Sequence, residues 1–288
     1  MALPPNSAYD PAACREPPGV PARAARPMLS YQHAYHAGSP ADVHKHAMLA
    51  EILTLLTQKD RPISYLESHA GRGLYDLSGP EASKTGEAAA GIVAMTAAGR
   101  IPAEHPYARA LSAISQRHGS HAYPGSPLIA RTLLRATDTL HLMELHPGEH
   151  SALLRHLRAA GVAIHRRDGL QGAMALIPPT PRRGLLMIDP PYEESFEFRR
   201  VADVVVRARR KWPEGVVMVW YPILNNGTHE ELMERLNLPE AEPEALVSEV
   251  IFPVPEGRRM IGSGVAVLKP PYGLPERVMA IAKWFERA

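Results

Sequence analysis

The sequence predicts an α/β protein built on a mostly parallel, doubly wound sheet. Three observations lead there. From Ile63 onward, short apolar runs of strand length alternate with amphipathic helical stretches, the pattern of consecutive βα units. Small or acidic residues follow several of these runs, as expected where a ligand meets the carboxyl ends of parallel strands. The last two runs, "ALVSEVIFPV" and "GSGVAVLKP", are joined by "PEGRRMI", which leaves no room for a helix and predicts an antiparallel hairpin at the sheet edge.

In chain order, "SYQHAYHAGSPADVHKHAMLAEILTLLT" starts as a loop and becomes a helix. Ser39 suits the N-cap, Pro40 the first helical position and Asp42 the positive end of the helix dipole. Val43, Ala47, Ala50 and Leu53 or Thr54 would form one buried face, leaving Lys45 and His46 off it. "ISYLES", "TLHLMEL", "GVAIHRRD", "RGLLMID" and "GVVMVWYP" then read as five strands, with helices such as "EHSALLRHLRAAG" and "FRRVADVVVRARRKW" between them. Residues from about 75 to 123 have helical composition and no convincing strand. They are expected to form a small helical insertion over the mouth of the sheet.

Composition narrows the function. Apolar residues make up 45% of the 288, ordinary for a globular protein, and the longest apolar runs are too short to span a bilayer. One cysteine, Cys14, supports neither a disulfide framework nor a cysteine-rich metal site and fits a cytoplasmic setting. A net charge of +2 permits a nucleic-acid partner without demanding one. Residues 1–27, with seven Pro and seven Ala, read as a disordered extension. A transit peptide carrying Arg15, Arg23 and Arg26, or a translation start at Met28, are the alternatives.

"ESHAGRG" puts small residues directly after the first strand, where the backbone turns tightly beside a ligand. By itself it is a weak signal. Glu144, closing the second strand, is placed to accept the two hydroxyls of a ribose, and Asp168, closing the third, to bind an adenine amine. Together they describe an adenosine site, and the absence of Lys-Ser or Lys-Thr after the glycines disfavours a nucleoside triphosphate. "DPPY" follows the fourth strand, and its two prolines hold an extended turn that exposes Asp189 and the Pro190 carbonyl. Carboxylate and carbonyl form an acceptor pair matched to an exocyclic amine, while Tyr192 offers a stacking face for the base. A later "KPPY" carries Lys269 in place of the acid and reads as a structural turn. His33, His36, His44 and His46 crowd one segment, but no spacing completes a metal site, and no metal is expected. The arginines from Arg199 to Arg210, with Lys211, are either a solvated helix face or a surface for RNA phosphates.

At this point the chain resembles a known group. D-P-P-Y marks S-adenosyl-L-methionine-dependent methyltransferases acting on adenine N6. "MLSYQHAYHAGSPADVHKH", "ESHAGRGLYDL", "KTGE", "YPGSPLIARTLLR", "ELHP" and "MIDPPYE" resemble the RlmJ family of bacterial 23S ribosomal RNA adenine-N6 methyltransferases, over Met28 to the C-terminus. The resemblance implies a Rossmann-like class I methyltransferase fold with a seven-stranded sheet, S-adenosyl-L-methionine as cofactor and 23S ribosomal RNA as partner, in free or early-assembly form. It implies Asp189 as the catalytic acceptor and His46, His69, Ser126, Glu144, Asp168 and Gly169 around the cofactor. Tyr31 would sit against the target adenine with Lys45 close by. It implies no metal, no membrane and no obligatory protein partner. A DNA adenine methyltransferase and a catalytically silent RNA-binding assembly factor are the competing readings; a protein-amide enzyme would more typically carry Asn before the prolines.

Overall fold

The computed structural model describes residues 32–286. Tyr31, Cys14 and the Pro/Ala-rich extension lie outside the described residues.

A short 3₁₀ turn, His33–Tyr35, leads into α1 (Pro40–Thr57). Ser39 caps it as its residue type predicts, its Oγ accepting from the backbone N–H of Asp42 at 3.2 Å. The single buried face does not survive: every residue from Ala41 to Leu53 is buried, Lys45 and His46 included. A helix covered on all sides has no solvent stripe for an amphipathic pattern to reveal.

Next come β1 (Ser64–Glu67) and β2 (Leu74–Asp76), and then α2 (Pro80–Thr85), α3 (Ala94–Ala97) and α4 (Pro106–His118), with a π turn over Ala89–Val93. β3 (Ala122–Pro124) closes this stretch by pairing antiparallel with β2, Tyr75 opposite Tyr123. The insertion is therefore gathered at its base by a two-stranded ribbon that the sequence reading lacked. Three residues per strand are too few to show a period of two. α5 (Ser126–Leu133), β4 (Thr139–Met143), α6 (Pro147–Leu157), β5 (Val162–His165), α7 (Gly169–Leu176), β6 (Gly184–Ile188) and α8 (Phe196–Lys211) supply the βα alternation. β7 (Val216–Leu224), α9 (Glu230–Leu236), α10 (Leu238–Ala241), β8 (Leu246–Ile251), β9 (Met260–Leu268) and α11 (Leu274–Ala282) complete the described chain.

The main sheet has seven strands in the order β5-β4-β1-β6-β7-β9-β8, parallel through β7, with β9 antiparallel to both β7 and β8. The first strand lies inside the sheet, between β4 and β6, and the order reverses beside it, the switch point where such sheets bind ligands. One core, around α1, α5, α6 and α11, covers one face with Leu49, Ile52, Leu140 and Leu185. The other, around α7, α8 and α9, covers the opposite face with Leu66, Leu186, Val205 and Trp212.

The hairpin explains why one Pro-Pro-Tyr segment cannot do the other's work. β9 runs against β7, with Leu268 opposite Val217 at the start of β7, so Lys269 emerges at the edge away from Asp189. The separation is by sheet edge, since β9 lies only two strands from β6.

Candidate active site

Three loops converge at the carboxyl ends of β1, β4 and β6. After β1, Ser68 to Gly73 fold back tightly, with Gly71 and Gly73 at φ of 61° and 80°. The backbone N–H of Gly71 donates to Glu144 Oε2 at 2.8 Å, and that of His146 to Oε1 at 2.7 Å. The carboxyl at the end of β4 is thus fixed against the loop after β1, with lone pairs left over on both oxygens. Burial pushes Glu144 upward, opposed by these two bonds.

Asp168 caps α7, its Oδ1 accepting from Gln171 N at 2.9 Å, while Arg200 of α8 holds Oδ2 at 2.6 Å. Burial is the largest single influence and would raise this carboxyl, but the bonds from Arg200 and the Gln171 N–H, with the charge of Arg200, together leave the group below its ordinary value. Gly169 follows directly. A Cβ there would stand 1.7 Å from the Ser68 carbonyl oxygen, so helix α7 and the loop after β1 touch backbone to backbone.

Asp189 follows β6, and the residue that meets it comes from far away in sequence. Lys45, from the second turn of α1, places Nζ 2.7 Å from Asp189 Oδ2 and 3.0 Å from Asp42 Oδ1. All three side chains are shielded, with 4%, 12% and 3% exposure for Lys45, Asp189 and Asp42. Among the described residues no partner engages Asp189 Oδ1. The Asp189 N–H lies 3.4 Å from Ser68 Oγ, which in turn pairs with His69 Nδ1 at 2.8 Å.

Asp42 was legible only as a helix-dipole residue, yet it anchors this corner. It takes His33 Nε2 and the Gly38 N–H on Oδ2, both at 3.0 Å, as well as Lys45 on Oδ1. Burial acts to raise its carboxyl, but the charges of His33 and Lys45 hold it well below the ordinary carboxylate range.

The imidazoles of His46 and His69 are neutral. Burial lowers His46 to about 3 and His69 to about 4. His46 Nδ1 pairs with the Tyr123 hydroxyl at 3.0 Å, and that hydroxyl with Tyr107 at 3.0 Å, tying α1 to the insertion. The four histidines of the early segment part company: His33 meets Asp42, His36 meets Glu87, His44 meets two serines and His46 meets Tyr123. Among the described residues no group of three or more His, Cys, Asp or Glu is placed to hold a metal ion.

Sequence reasoning also passed over Glu67, the last residue of β1. It is fully buried, accepting from the Tyr65 hydroxyl at 2.8 Å and from the Ser126 hydroxyl. Ser126 is thereby engaged with Glu67. Burial raises the Glu67 carboxyl to about 8, with the Asp189 charge adding to the rise, so it is protonated at neutral pH. The only signal was position, an acid ahead of a glycine loop.

A carboxyl raised on folding stabilises the fold most below its unfolded value, and that contribution is lost as pH rises through the folded value. Parent protein is therefore expected to lose thermal stability between pH 5 and pH 8 (about the window from the unfolded to the folded value) relative to Glu67→Gln. Paired thermal melts across that range check it; parallel curves would refute a protonated Glu67.

Tyr192 has its ring stacked on Phe198, centroids 4.4 Å apart, and its hydroxyl donates to the Trp220 carbonyl at 2.8 Å. One ring face is therefore already covered. The basic helix is largely spent internally: Arg199 pairs with Glu231, Arg200 with Asp168, and Arg209 with Glu242 and the Gly215 carbonyl. Arg199, Arg200 and Arg209 thus brace the fold, a role that neither sequence reading of the run included.

The family model described as Ribosomal RNA large subunit methyltransferase D, RlmJ, matches residues 60–288. The chain belongs to this family. Ribosomal RNA large subunit methyltransferase J of Escherichia coli (strain K12) is 34% identical over 259 residues, covering 89% of this chain and 92% of that protein. The protein of the same name from Haemophilus influenzae (strain ATCC 51907 / DSM 11121 / KW20 / Rd) is 33% identical over 265 residues, 90% of this chain and 94% of that one. A crystal structure of a protein from Legionella pneumophila str. Philadelphia 1 superposes with a TM-score of 0.78 at 33% identity, over 87% of this chain and 94% of that one.

As an RlmJ family member the chain is an S-adenosyl-L-methionine-dependent methyltransferase on a class I, Rossmann-like sheet. The residues present fit that cofactor. Gly169 leaves room only for backbone beside Ser68, carboxyls stand after β4 and β5, and the one arginine of the glycine loop, Arg72, is clamped by Glu149 at 2.6 and 3.0 Å. An adenosine without phosphates needs acceptors and a close backbone, and no free cation.

Proposed function

We propose that this enzyme methylates N6 of an unpaired or flipped adenine in 23S ribosomal RNA, taken in free or early-assembly form in the cytoplasm, without an obligatory protein partner. The observation that carries this reading is the Lys45–Asp189 pair at the end of β6, with Asp189 Oδ1 left as an acceptor. Family membership and the names of the two relatives support the ribosomal substrate. Among the described residues no helix is long and apolar enough to cross a membrane.

S-adenosyl-L-methionine supplies an electrophilic methyl on a sulfonium. The acceptor amine is a weak nucleophile because its lone pair is shared with the ring. Asp189 Oδ1 and the Pro190 carbonyl would accept its two hydrogens, localise the lone pair and, as N6 gains the methyl, draw off the proton. Lys45 fixes the carboxylate by its ion pair at Oδ2. Orientation of this kind is worth roughly 7 to 11 kcal/mol. Glu144 and Asp168 would hold the ribose hydroxyls and adenine of the cofactor, with His46, His69, Ser126 and Gly169 lining its site. Tyr31 and Tyr192 would flank the target base. Extruding a stacked adenine costs a few kcal/mol, which favours a loop or an unassembled RNA.

Tritiated-methyl transfer compared on deproteinised 23S ribosomal RNA, assembled large subunits and duplex DNA tests the substrate. The free RNA is expected to be labelled at least about tenfold faster than the others, the discrimination that an extra cost of a few kcal/mol for base extrusion would give. Preferential labelling of DNA would replace this reading with a DNA adenine enzyme. Failure to label any of the three would favour a silent assembly factor.

A further inference from the structure

We infer that Trp220 is a positioning residue for the Lys45–Asp189 pair, held in place by a buried hydroxyl–imidazole–hydroxyl chain that comes from the edge hairpin. The inference rests on the proposed role of Asp189.

The register places it there. Ile188 of β6 pairs with Val219 of β7, so Asp189 and Trp220 are the next residues along on two adjacent strands. Trp220 lies half-buried on the face that α1 covers, and Lys45 Nζ stands 5.2 Å from its ring centroid. The ammonium is thus enclosed by two carboxylates and one aromatic face. The ring adds a third contact to those of Asp42 and Asp189 and so limits the freedom of the ammonium to shift between them. A desolvated cation over an indole face is attracted by the ring quadrupole, most strongly for Trp among the aromatics.

The ring is in turn fixed from behind. Its N–H donates to Ser263 Oγ at 2.9 Å, Ser263 Oγ pairs with His44 Nδ1 at 2.9 Å, and His44 Nε2 with Ser248 Oγ at 2.9 Å. An indole nitrogen only donates, and a consistent direction then runs from the indole to Ser263, from Ser263 to His44 Nδ1, and from His44 Nε2–H to Ser248. Burial lowers His44 to about 3, so the imidazole stays neutral and can both accept and donate. Ser263 and Ser248 are buried on β9 and β8, and His44 is the residue before Lys45. The same tryptophan takes the Tyr192 hydroxyl on its carbonyl, at 2.8 Å. Tyr192 sits at φ 50°, a left-handed conformation that a bulky residue adopts at a cost, and this bond with the Phe198 stack holds it there. Through one residue the hairpin therefore steadies both the lysine and the Pro-Pro-Tyr turn.

The test measures kcat, KM for RNA, cofactor affinity and thermal midpoint in Trp220→Leu, Trp220→Phe and Ser263→Ala. Trp220→Leu is expected to lower kcat about tenfold, with cofactor affinity within about twofold, the scale of a desolvated cation–π contact. Trp220→Phe keeps a ring face and should stay within about threefold of the parent. Equal losses in the two variants, parent-like kcat in Trp220→Leu, or parallel loss of cofactor affinity would overturn the inference. If Trp220→Leu does not fold, Ser263→Ala decides: a kcat loss of about threefold with unchanged KM supports the chain, on the scale of one hydrogen bond, and parent-like kcat refutes it. Asp189→Ala separates the two layers. If that variant is active, the reading of the site fails whatever Trp220 does; if it is inactive and Trp220→Leu is parent-like, only the role of Trp220 fails.

Discussion

Asp189→Ala is expected to fold, to bind S-adenosyl-L-methionine close to parent affinity and to lose at least about 100-fold in turnover, the effect of removing one preorganised polar group from a reacting centre. The geometry separates folding from catalysis. Asp189 shares Lys45 with Asp42, so deleting it leaves the ammonium one buried counter-charge at 3.0 Å and the face of Trp220. What disappears is Oδ1, the acceptor proposed for the amine. Asp189→Asn should be nearly as slow, because it keeps the shape but no longer accepts the proton. Single-turnover methyl transfer with saturating cofactor, beside calorimetric cofactor binding, measures both quantities. Turnover within a few-fold of the parent would remove Asp189 from the chemistry.

What the sequence disclosed follows from how each feature is encoded. The seven sheet strands were legible because each is a short apolar run bounded by turn residues. The positions of Glu144, Asp168 and Asp189 beyond the carboxyl ends of parallel strands were legible because strand ends can be located locally. Features made by distant partners left no such trace. Lys45 and Asp189 are 144 residues apart, and nothing near either one announces the other. Asp42 looked like a helix-dipole residue since its true partners, His33, Gly38 and Lys45, declare themselves only once the chain has folded back. Glu67 reads as an ordinary charged strand end, and its protonation arises from complete burial, which no local pattern records. α1 misled for a related reason: amphipathicity marks a helix with one wet side, and this one has none. Family resemblance supplied His46 and Ser126, and the structure finds their polar groups joined to Tyr123 and Glu67.

Removing the lysine should do damage of a second kind. Lys45→Met keeps the length of the side chain and deletes the charge, leaving Asp42 and Asp189 as neighbouring shielded carboxylates with no cation between them. Breaking a buried ion pair from one side costs about 3 to 5 kcal/mol, well above the worth of a surface pair. Urea unfolding at neutral pH should therefore show a loss of about 3 kcal/mol, since His33 still supports Asp42. The pH dependence identifies the cause. Asp42 is held below its unfolded value, so it stabilises the parent above that value and loses the contribution as pH falls through the folded one. Without Lys45 that depression shrinks, and the gap between parent and variant is greatest at neutral pH and closes towards acid. A second substitution, Lys45→Met with Asp42→Asn, removes the stranded charge and should recover much of the stability. It should not recover methyl transfer, because Asp189 would still lack the ammonium that fixes Oδ2. Recovery of both together would mean that Lys45 only holds the fold; a stability loss independent of pH would mean that its packing, not its charge, is what α1 needs.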